Sequence, residues 1–246
     1  MKKIRIGIPK NEGLYPAVEA ILTERGIWCS SPSPKRLSWE TDHCQFVLGS
    51  VADIARMTAS RHLDCAFVTR DHWREQQLYY LPGGFSDSIC ELEEFSSIGR
   101  CDLVFAAKEG SHWTQKAQEE NSDVKGIIRS LIFRDERSES WKPVIATRFP
   151  RITSYYIFRE LHFDDVCEEL LRGILKEVKA WRYHPTITEV RGDEEVYVLT
   201  GRADLAMVQV ETGETLRQNG LVPIKKISTS HLILVGSKDL PMTALF

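Results

Sequence analysis

The segment Val210–Leu221, VETGETLRQNGL, combines hydroxyl side chains and a glycine in a way that suits a bound anion. Thr212 and Thr215 can donate hydrogen bonds from their hydroxyls, and Gly213 lets the backbone approach a ligand closely. The residues that follow have the polarity of a helix, whose first backbone N–H groups have no intrahelical acceptor. These groups and the helix dipole favour negative charge. The loop therefore predicts a phosphate-binding turn, with Glu214 as an acidic residue in its middle.

A simpler interpretation is a strand-to-helix turn in which Thr215 acts only as the helix N-cap. Such caps are common, and the loop alone does not choose between the two interpretations. The choice depends on the elements and motifs around it.

The elements that must position this loop alternate along the chain. An apolar strand, Ala203–Val210, leads directly into it. Period and apolar runs predict further strands at Ile4–Ile8, Gln45–Leu48, Asp64–Val68, Arg100–Ala107, Pro143–Thr147, Thr186–Val190 and Ile227–Val235. Helical spacing predicts helices at Leu14–Gly26, Val51–Ser60, Phe149–Leu161 and Asp165–Trp181. Residues 110–142 are polar and are expected to form a surface excursion.

The alternation of strands and helices predicts an α/β fold with helices on the faces of parallel sheets. The two halves have the same style, so we expect two α/β lobes with a cleft between them. The first lobe is predicted to comprise residues 1–98 and 225–246, and the second, residues 99–224.

Composition and charge exclude several classes of protein. The formal net charge of −3 over 246 residues gives no broad positive field for nucleic acid. No apolar run reaches the roughly 18 residues of a membrane helix, and the first residues lack a signal-peptide core. The cysteines and histidines show no metal-ligand spacing. We expect a cytoplasmic protein that binds neither nucleic acid nor membrane.

Several segments, in chain order, resemble one enzyme family. Ala203-Asp204 followed by V-E-T-G-E-T-L and N-G-L is similar to the pattern A-D-x-x-x-D-x-V-x-T-G-x-T-L-x-x-N-G-L of the ATP phosphoribosyltransferases of histidine biosynthesis. I-A-T-R-F-P is similar to the family's I-A-T-x-Y-P, and G-D-E-E to its G-S-V-E. Further matches lie at Ile4–Leu14, Pro34–Leu37, Leu63–Asp71 and Gly99–Ala106, so the resemblance covers most of the chain.

The resemblance implies a fold like that of a type II periplasmic binding protein. It also implies that N1 of ATP attacks C1 of phosphoribosyl pyrophosphate (PRPP) and releases pyrophosphate with the assistance of Mg2+. Because the adenine nitrogen is already nucleophilic, no catalytic side chain is assigned. In the short form of the family a regulatory subunit joins the catalytic chain, so we expect such a partner or a homo-oligomer.

The site residues that the resemblance implies fall into three groups. The 5′-phosphate of PRPP is expected at Thr212, Gly213, Glu214 and Thr215. The ribose or Mg2+ is expected at Asp204 and Glu195, and the pyrophosphate or nucleotide at Lys10, Arg36 and Arg70.

Some positions depart from the family pattern. Val208 replaces the acid that is expected to hold the ribose hydroxyls, and the R-x-R-D-I segment appears as Ser50–Ile54 without its arginines. The turn after the first strand, Lys10–Leu14, is one residue longer and carries Glu12. Two alternatives therefore stay open: a diverged relative that transfers phosphoribose to another acceptor, and a small-anion binding protein without chemistry.

Overall fold

The computed structural model describes residues 3–28, 36–80, 88–119, 143–162 and 185–240. The chain divides into two compact units. The first unit comprises Met1–Arg100 with Ser230–Phe246, and the second comprises Cys101–Thr229. The chain thus passes between units at 100/101 and 229/230, where the sequence analysis expected 98/99 and 224/225.

The first unit is built on a mixed sheet. Its strands are β1 (Ile4–Pro9), β2 (Ser38–Glu40), β3 (Cys44–Gly49), β4 (Cys65–Thr69), β5 (Ile89–Phe95) and β11 (Leu232–Ser237), in the order β2-β3-β1-β4-β11-β5. The central strand β1 is parallel to β3 and β4, while β2, β11 and β5 pair antiparallel to their neighbours. The three parallel strands are the β-α-β-α-β unit that the sequence predicted.

Helices α1 (Tyr15–Glu24), α2 (Val51–Ala59) and α3 (Arg70–Tyr80) follow the three parallel strands. Val18 and Leu22 are buried on α1, and Ile54 on α2. A Cβ on Gly7 of β1 would lie 2.7 Å from Leu63 and 3.2 Å from Ile54, so this glycine permits close packing against the sheet. The fold class α/β is confirmed.

The second unit contains a sheet of order β10-β6-β9-β7-β8. Its strands are β6 (Cys101–Lys108), β7 (Val144–Thr147), β8 (Thr186–Glu189), β9 (Leu205–Val210) and β10 (Leu221–Ser230). Its helices are α4 (His112–Glu119), α5 (Pro150–His162), α6 (Glu194–Leu199) and α7 (Glu214–Gln218). Strands β7, β8 and β9 are mutually parallel, and β6 is antiparallel to β9.

The single final strand predicted at Ile227–Val235 is wrong, because the structure has two strands there. β10 ends at Ser230 in the second sheet, and β11 begins at Leu232 in the first. The break is fixed by two hydrogen bonds, from the backbone N–H of Arg70 to the carbonyl oxygen of His231 and from that of Asp71 to Oγ of Ser230. Apolar residues alternate without interruption through this region, so the sequence pattern does not indicate that the chain moves from one sheet to the other.

Other elements were missed or lie outside the described residues. Helix α3, strand β5 and helix α4 were not predicted; α4 buries Trp113 and Thr114, so residues 112–119 are not a plain surface excursion. The predicted helix Asp165–Trp181 falls outside the described residues. No helix in the described part of the chain is long and apolar enough to cross a membrane.

Candidate functional site: two sheet edges

Strands β7, β8 and β9 are parallel, so their carboxyl ends lie at one edge of the second sheet. In α/β folds this edge is where ligands usually bind. The loops that leave it begin at Arg148, Val190 and Glu211, respectively. The predicted phosphate loop therefore lies at the edge of the sheet where ligands usually bind in α/β folds.

The conformation of the phosphate loop depends on Gly213. This residue has φ +76°, and a Cβ there would meet nothing closer than Cγ1 of Val210 at 3.8 Å. The glycine is thus required by its left-handed backbone and not by a lack of space. Helix α7 begins immediately afterwards, at Glu214.

The helix cap differs from the simpler interpretation of the sequence. Thr215 lies inside α7, exposed, and is not the N-cap, which is Gly213. The hydroxyl of Thr212 instead accepts a hydrogen bond from the N–H of Glu214, at 3.3 Å. Within the described residues the backbone N–H of Thr215 has no acceptor. An exposed N–H and two hydroxyls at a helix start form a suitable site for a phosphate.

The acid in this loop is compensated within its own helix. The carboxylate of Glu214 forms an ion pair with Arg217 and accepts a hydrogen bond of 2.7 Å from Nε2 of Gln218. Both partners lie one turn further along α7, so the carboxylate is held against the helix flank. Glu214 therefore does not place an unpaired negative charge beside the loop.

Asp204 does not lie near the loop, although only eight positions separate it from Thr212. It precedes β9, and its carboxylate accepts a hydrogen bond of 2.8 Å from the N–H of Val144, at the start of β7. The N–H of Asp204 returns a bond to the carbonyl oxygen of Val144, at 2.8 Å. A six-residue strand spans roughly 20 Å, so Asp204 stands at the amino edge of the sheet, away from the loop.

Glu195 remains at the carboxyl edge. It lies in the first turn of α6, half-buried, after the loop that leaves β8. Of the two acids predicted to hold the ribose or Mg2+, only Glu195 therefore shares an edge of the sheet with Gly213.

Val208 is part of the core of the second unit. Its side chain is 2% exposed and belongs to an apolar cluster with Ala146, Ala206 and Leu216. Its cross-strand partner is Val104 of β6. The position that carries an acid in the family pattern is thus occupied here by a packed core residue.

An ion pair that the sequence analysis missed lies at the same carboxyl edge. Arg148, directly after β7, donates from Nε and Nη2 to the two carboxylate oxygens of Glu194, at 2.5 and 3.0 Å. The Glu194 side chain is 2% exposed, whereas that of Arg148 is 38% exposed. The sequence carried one signal for this ion pair. Arg148 occupies the variable position of I-A-T-x-Y-P, and Glu194 occupies the valine position of G-S-V-E.

Two of the predicted basic residues lie at the carboxyl edge of the first sheet. Lys10 follows β1 and is exposed, and its N–H donates to the carbonyl oxygen of Gly49, at 2.9 Å. Leu37 accepts a hydrogen bond from Leu48 at 2.8 Å, because the start of β2 lies beside the end of antiparallel β3. Arg36, also exposed, is therefore placed beyond the same edge.

Arg70 begins α3 at this edge but is directed towards β5. Its Nη2 donates to Oε2 of Glu91 at 2.9 Å and to Oε2 of Glu94 at 2.8 Å. Burial alone would lower the pKa of the guanidinium, but the hydrogen bonds to the two carboxylates outweigh burial and raise it. Because Arg70 is already paired with two carboxylates, it is less suited to binding a nucleotide than Lys10 and Arg36.

The next residue, Asp71, stabilises the same turn from inside. Its buried carboxylate accepts hydrogen bonds from the hydroxyl of Thr69 and the N–H of His72, at 2.5 and 2.7 Å. Burial would raise the pKa of this carboxyl, but His72 and Thr69 together lower it to about 2. Asp71 is therefore a charged anchor for the start of α3.

In the described part of the chain, no three His, Cys, Asp or Glu side chains come together as ligands. Mg2+ commonly takes one or two protein carboxylates and completes its shell with water and substrate phosphates. A single carboxylate such as Glu195 fits that mode of binding.

Comparison with known proteins assigns the chain to a family. The model of the family HisG, ATP phosphoribosyltransferase, matches residues 50–244. The chain belongs to this family. Among curated relatives, the ATP phosphoribosyltransferase of Hydrogenobaculum sp. is 21% identical over 235 residues, covering 96% of this chain and 90% of the relative. That of Haloarcula marismortui is 26% identical, and the alignment covers 96% of this chain but 66% of the relative.

Solved structures agree on the fold of this HisG-family chain. The ATP phosphoribosyl transferase (HisG:HisZ) complex from Thermotoga maritima matches with TM-score 0.61 at 19% identity, over 95% of this chain and 87% of that one. The alkanesulfonate-binding protein SsuA from Xanthomonas axonopodis matches with TM-score 0.51 at 10% identity, over 98% and 67% of the two chains. The expected fold, two α/β units like a periplasmic binding protein, is confirmed, while the cleft between the units stays a prediction.

Proposed function

We propose that the chain is an active ATP phosphoribosyltransferase of the cytoplasm, which joins the phosphoribosyl group of PRPP to N1 of ATP. The observation that carries the proposal is the loop Thr212–Thr215. It is a turn at the carboxyl edge of β9, built on a left-handed glycine and followed by a helix, within the segment that resembles the family pattern most specifically. The 5′-phosphate of PRPP would accept hydrogen bonds from the two threonine hydroxyls and the exposed N–H of Thr215.

The other charged groups are the remaining candidates for binding pyrophosphate, a nucleotide or Mg2+. Lys10 and Arg36 place positive charge at the carboxyl edge of the first sheet, where a pyrophosphate or nucleotide would be neutralised. Glu195 would hold the ribose or Mg2+; Asp204 is left out because its carboxylate is bonded to Val144 at the amino edge. When bound, Mg2+ would stabilise the charge that develops on the departing pyrophosphate.

The reaction needs orientation more than acid or base chemistry. The lone pair of N1 of ATP forms the new bond to C1 of the ribose, and the bond from C1 to the pyrophosphate oxygen breaks. The electron pair of that bond leaves with pyrophosphate. The contribution of the protein is to fix both ends of PRPP in line with the adenine ring and to stabilise the leaving group.

A diverged reaction is a second candidate, and two observations favour it. Val208 is packed in the core, so the ribose acid of the family pattern is absent. Ser50–Ile54 forms the start of α2, where Oγ of Ser50 accepts from the N–H of Asp53, and it supplies no arginine. These changes would suit a relative that keeps the phosphate loop and transfers phosphoribose to another acceptor.

A titration followed by a reaction separates the candidates. PRPP with Mg2+ is titrated into the protein by calorimetry, and pyrophosphate release is then measured with ATP and with a panel of other purine and pyrimidine nucleotides. The proposal expects PRPP binding and pyrophosphate release with ATP. Binding with release only from another nucleotide supports the diverged reaction, binding without release supports a small-anion binding protein, and no binding rejects all PRPP-based functions.

We also propose that the chain assembles with a regulatory subunit or with itself. The supporting observation is that the Thermotoga maritima relative was solved as a HisG:HisZ complex. Light scattering of the purified chain tests self-association, and a monomer that binds no subunit encoded nearby would contradict the proposal.

A further inference from the structure

We propose that Arg148 is a second phosphate-binding group for PRPP in this chain, and that Glu194 is the residue that positions it. This inference rests on the proposed function. It assigns to the second unit a cation that the sequence patterns did not reveal.

The geometry of the pair fixes the direction of the guanidinium. Glu194 accepts from Nε and Nη2 of Arg148, so the plane of the guanidinium is held by two parallel hydrogen bonds. Nη2 also lies 4.0 Å from the place of a Cβ on Gly192, so the guanidinium stands beside the turn that leaves β8. Because the side chain is 38% exposed, a ligand at this edge can reach the guanidinium.

The position of the pair relates it to the missing acid. Ala146 pairs with Ala206 and Thr147 with Met207 in parallel register, and Arg148 directly follows these pairs after β7 as Val208 follows them on β9. Side chains alternate across a strand, which puts Arg148 on the side of Ala146, the side that α6 and α7 cover. A charged pair therefore stands next to the position where the family pattern has a single carboxylate.

The energetic character of the pair favours a functional role over a purely structural one. Glu194 is almost fully buried, and burying a carboxylate is costly even when it is paired. An apolar pair of similar volume would often be as stable or more stable at such a position. What the ion pair adds is a fixed, planar guanidinium, which recognises phosphate oxygens bidentately.

The test must separate binding from folding, because removing Arg148 alone would leave Glu194 buried without its ion-pair partner. The main variant is therefore the double substitution Arg148→Met with Glu194→Val, which keeps apolar packing. Arg148→Lys keeps the charge but not the planar fork, and Glu194→Gln keeps the shape of the positioning residue but weakens its hold. The matched control is Arg202→Met, which removes the same charge from an exposed residue of the second unit just before Asp204, at the amino edge.

PRPP affinity is measured by calorimetry for the full chain and each variant, together with the melting temperature and the KM for ATP. We expect the double variant to melt at or above the melting temperature of the parent. It should bind PRPP at least about tenfold more weakly, because it loses a hydrogen bond from a charged group. The PRPP affinity of Arg148→Lys should lie between those of the parent and the double variant. Glu194→Gln should raise the KM for PRPP and leave that for ATP unchanged, and Arg202→Met should bind as the parent does.

A folded double variant with the PRPP affinity of the parent would overturn the inference and leave the proposed function standing. A double variant whose melting temperature changes while its PRPP affinity does not would assign the pair a structural role, and this result would also overturn the inference. If the parent does not bind PRPP, both the inference and the proposed function fail.

Discussion

Asp204 and Gly213 lie at opposite ends of the same strand, β9. The carboxylate of Asp204 accepts a hydrogen bond from the N–H of Val144, which ties the start of β9 to the start of β7. Asp204→Ala should lower the free energy of unfolding by about 1.5–3 kcal/mol, the range for a hydrogen bond to a charged group. PRPP affinity should stay within about twofold of the parent, since the affected edge is remote from the loop. Chemical denaturation and calorimetry measure the two effects, and a large loss of PRPP affinity in a folded variant would return Asp204 to the site.

Gly213→Ala tests whether the left-handed turn forms the phosphate site. The substitution should cost about 1 kcal/mol of stability, because alanine disfavours φ +76°. It should also weaken PRPP binding, because the Thr212 hydroxyl and the Thr215 N–H would shift. Gly220→Ala is the matched control, since Gly220 has φ +63° with nothing near its Cβ position and lies after α7. If Gly213→Ala and Gly220→Ala lose equal stability and bind PRPP with equal affinity, the loop is only a turn.

The ion pair of Glu214 and Arg217 predicts how the acid in the loop affects phosphate binding. Arg217→Gln should weaken PRPP binding about two- to fivefold at low ionic strength, because the Glu214 charge is then uncompensated. Adding Glu214→Gln should restore the parental affinity, and Glu214→Gln alone should have little effect. Both side chains are partly exposed, so the effect should fade at high salt. An Arg217→Gln variant with unchanged affinity at low salt would contradict this account of the loop.

Val208→Asp tests the assignment of this position to the core. A carboxylate placed at a 2% exposed position among Ala146, Ala206 and Leu216 should cost about 3 kcal/mol or more, or raise the pKa of the new carboxyl. Val208→Ala should cost less, about 1–3 kcal/mol, because it removes only apolar contacts. Unfolding by urea gives both values. A stable Val208→Asp variant that binds PRPP more tightly would instead identify Val208 as a position beside the ribose.

Much of the first sheet and the phosphate loop could be predicted because the signals are local. Apolar runs with flanking turns gave β1, β3 and β4, and the glycine with two threonines gave the turn at β9. The carboxyl-edge placement of Lys10 also agrees with strand order in a β-α-β unit, whereas that of Arg36 depends on the antiparallel strand β2, which was not predicted. These features depend on residues close together in the sequence and on general rules of sheet topology.

The remaining features depend on contacts between distant segments. Arg148 and Glu194 are separated by 46 positions, and only the parallel arrangement of β7 and β8 brings them to one edge. Asp204 looked close to the loop in sequence, but an extended strand places it at the far edge. The break at His231 has no local signal, because Ser230 and His231 are held by Asp71 and Arg70 from a different part of the chain.

The central claim is that this HisG-family chain forms phosphoribosyl-ATP, and its most direct test is the product itself. Purified protein is mixed with PRPP, ATP and Mg2+, with inorganic pyrophosphatase present to remove pyrophosphate, and the product is followed by its ultraviolet absorbance and identified by mass spectrometry. We predict a species with the mass of ATP plus a phosphoribosyl group, formed at a rate proportional to enzyme concentration and abolished when PRPP is omitted. PRPP binding at saturating substrate without any phosphoribosyl-ATP would contradict the claim.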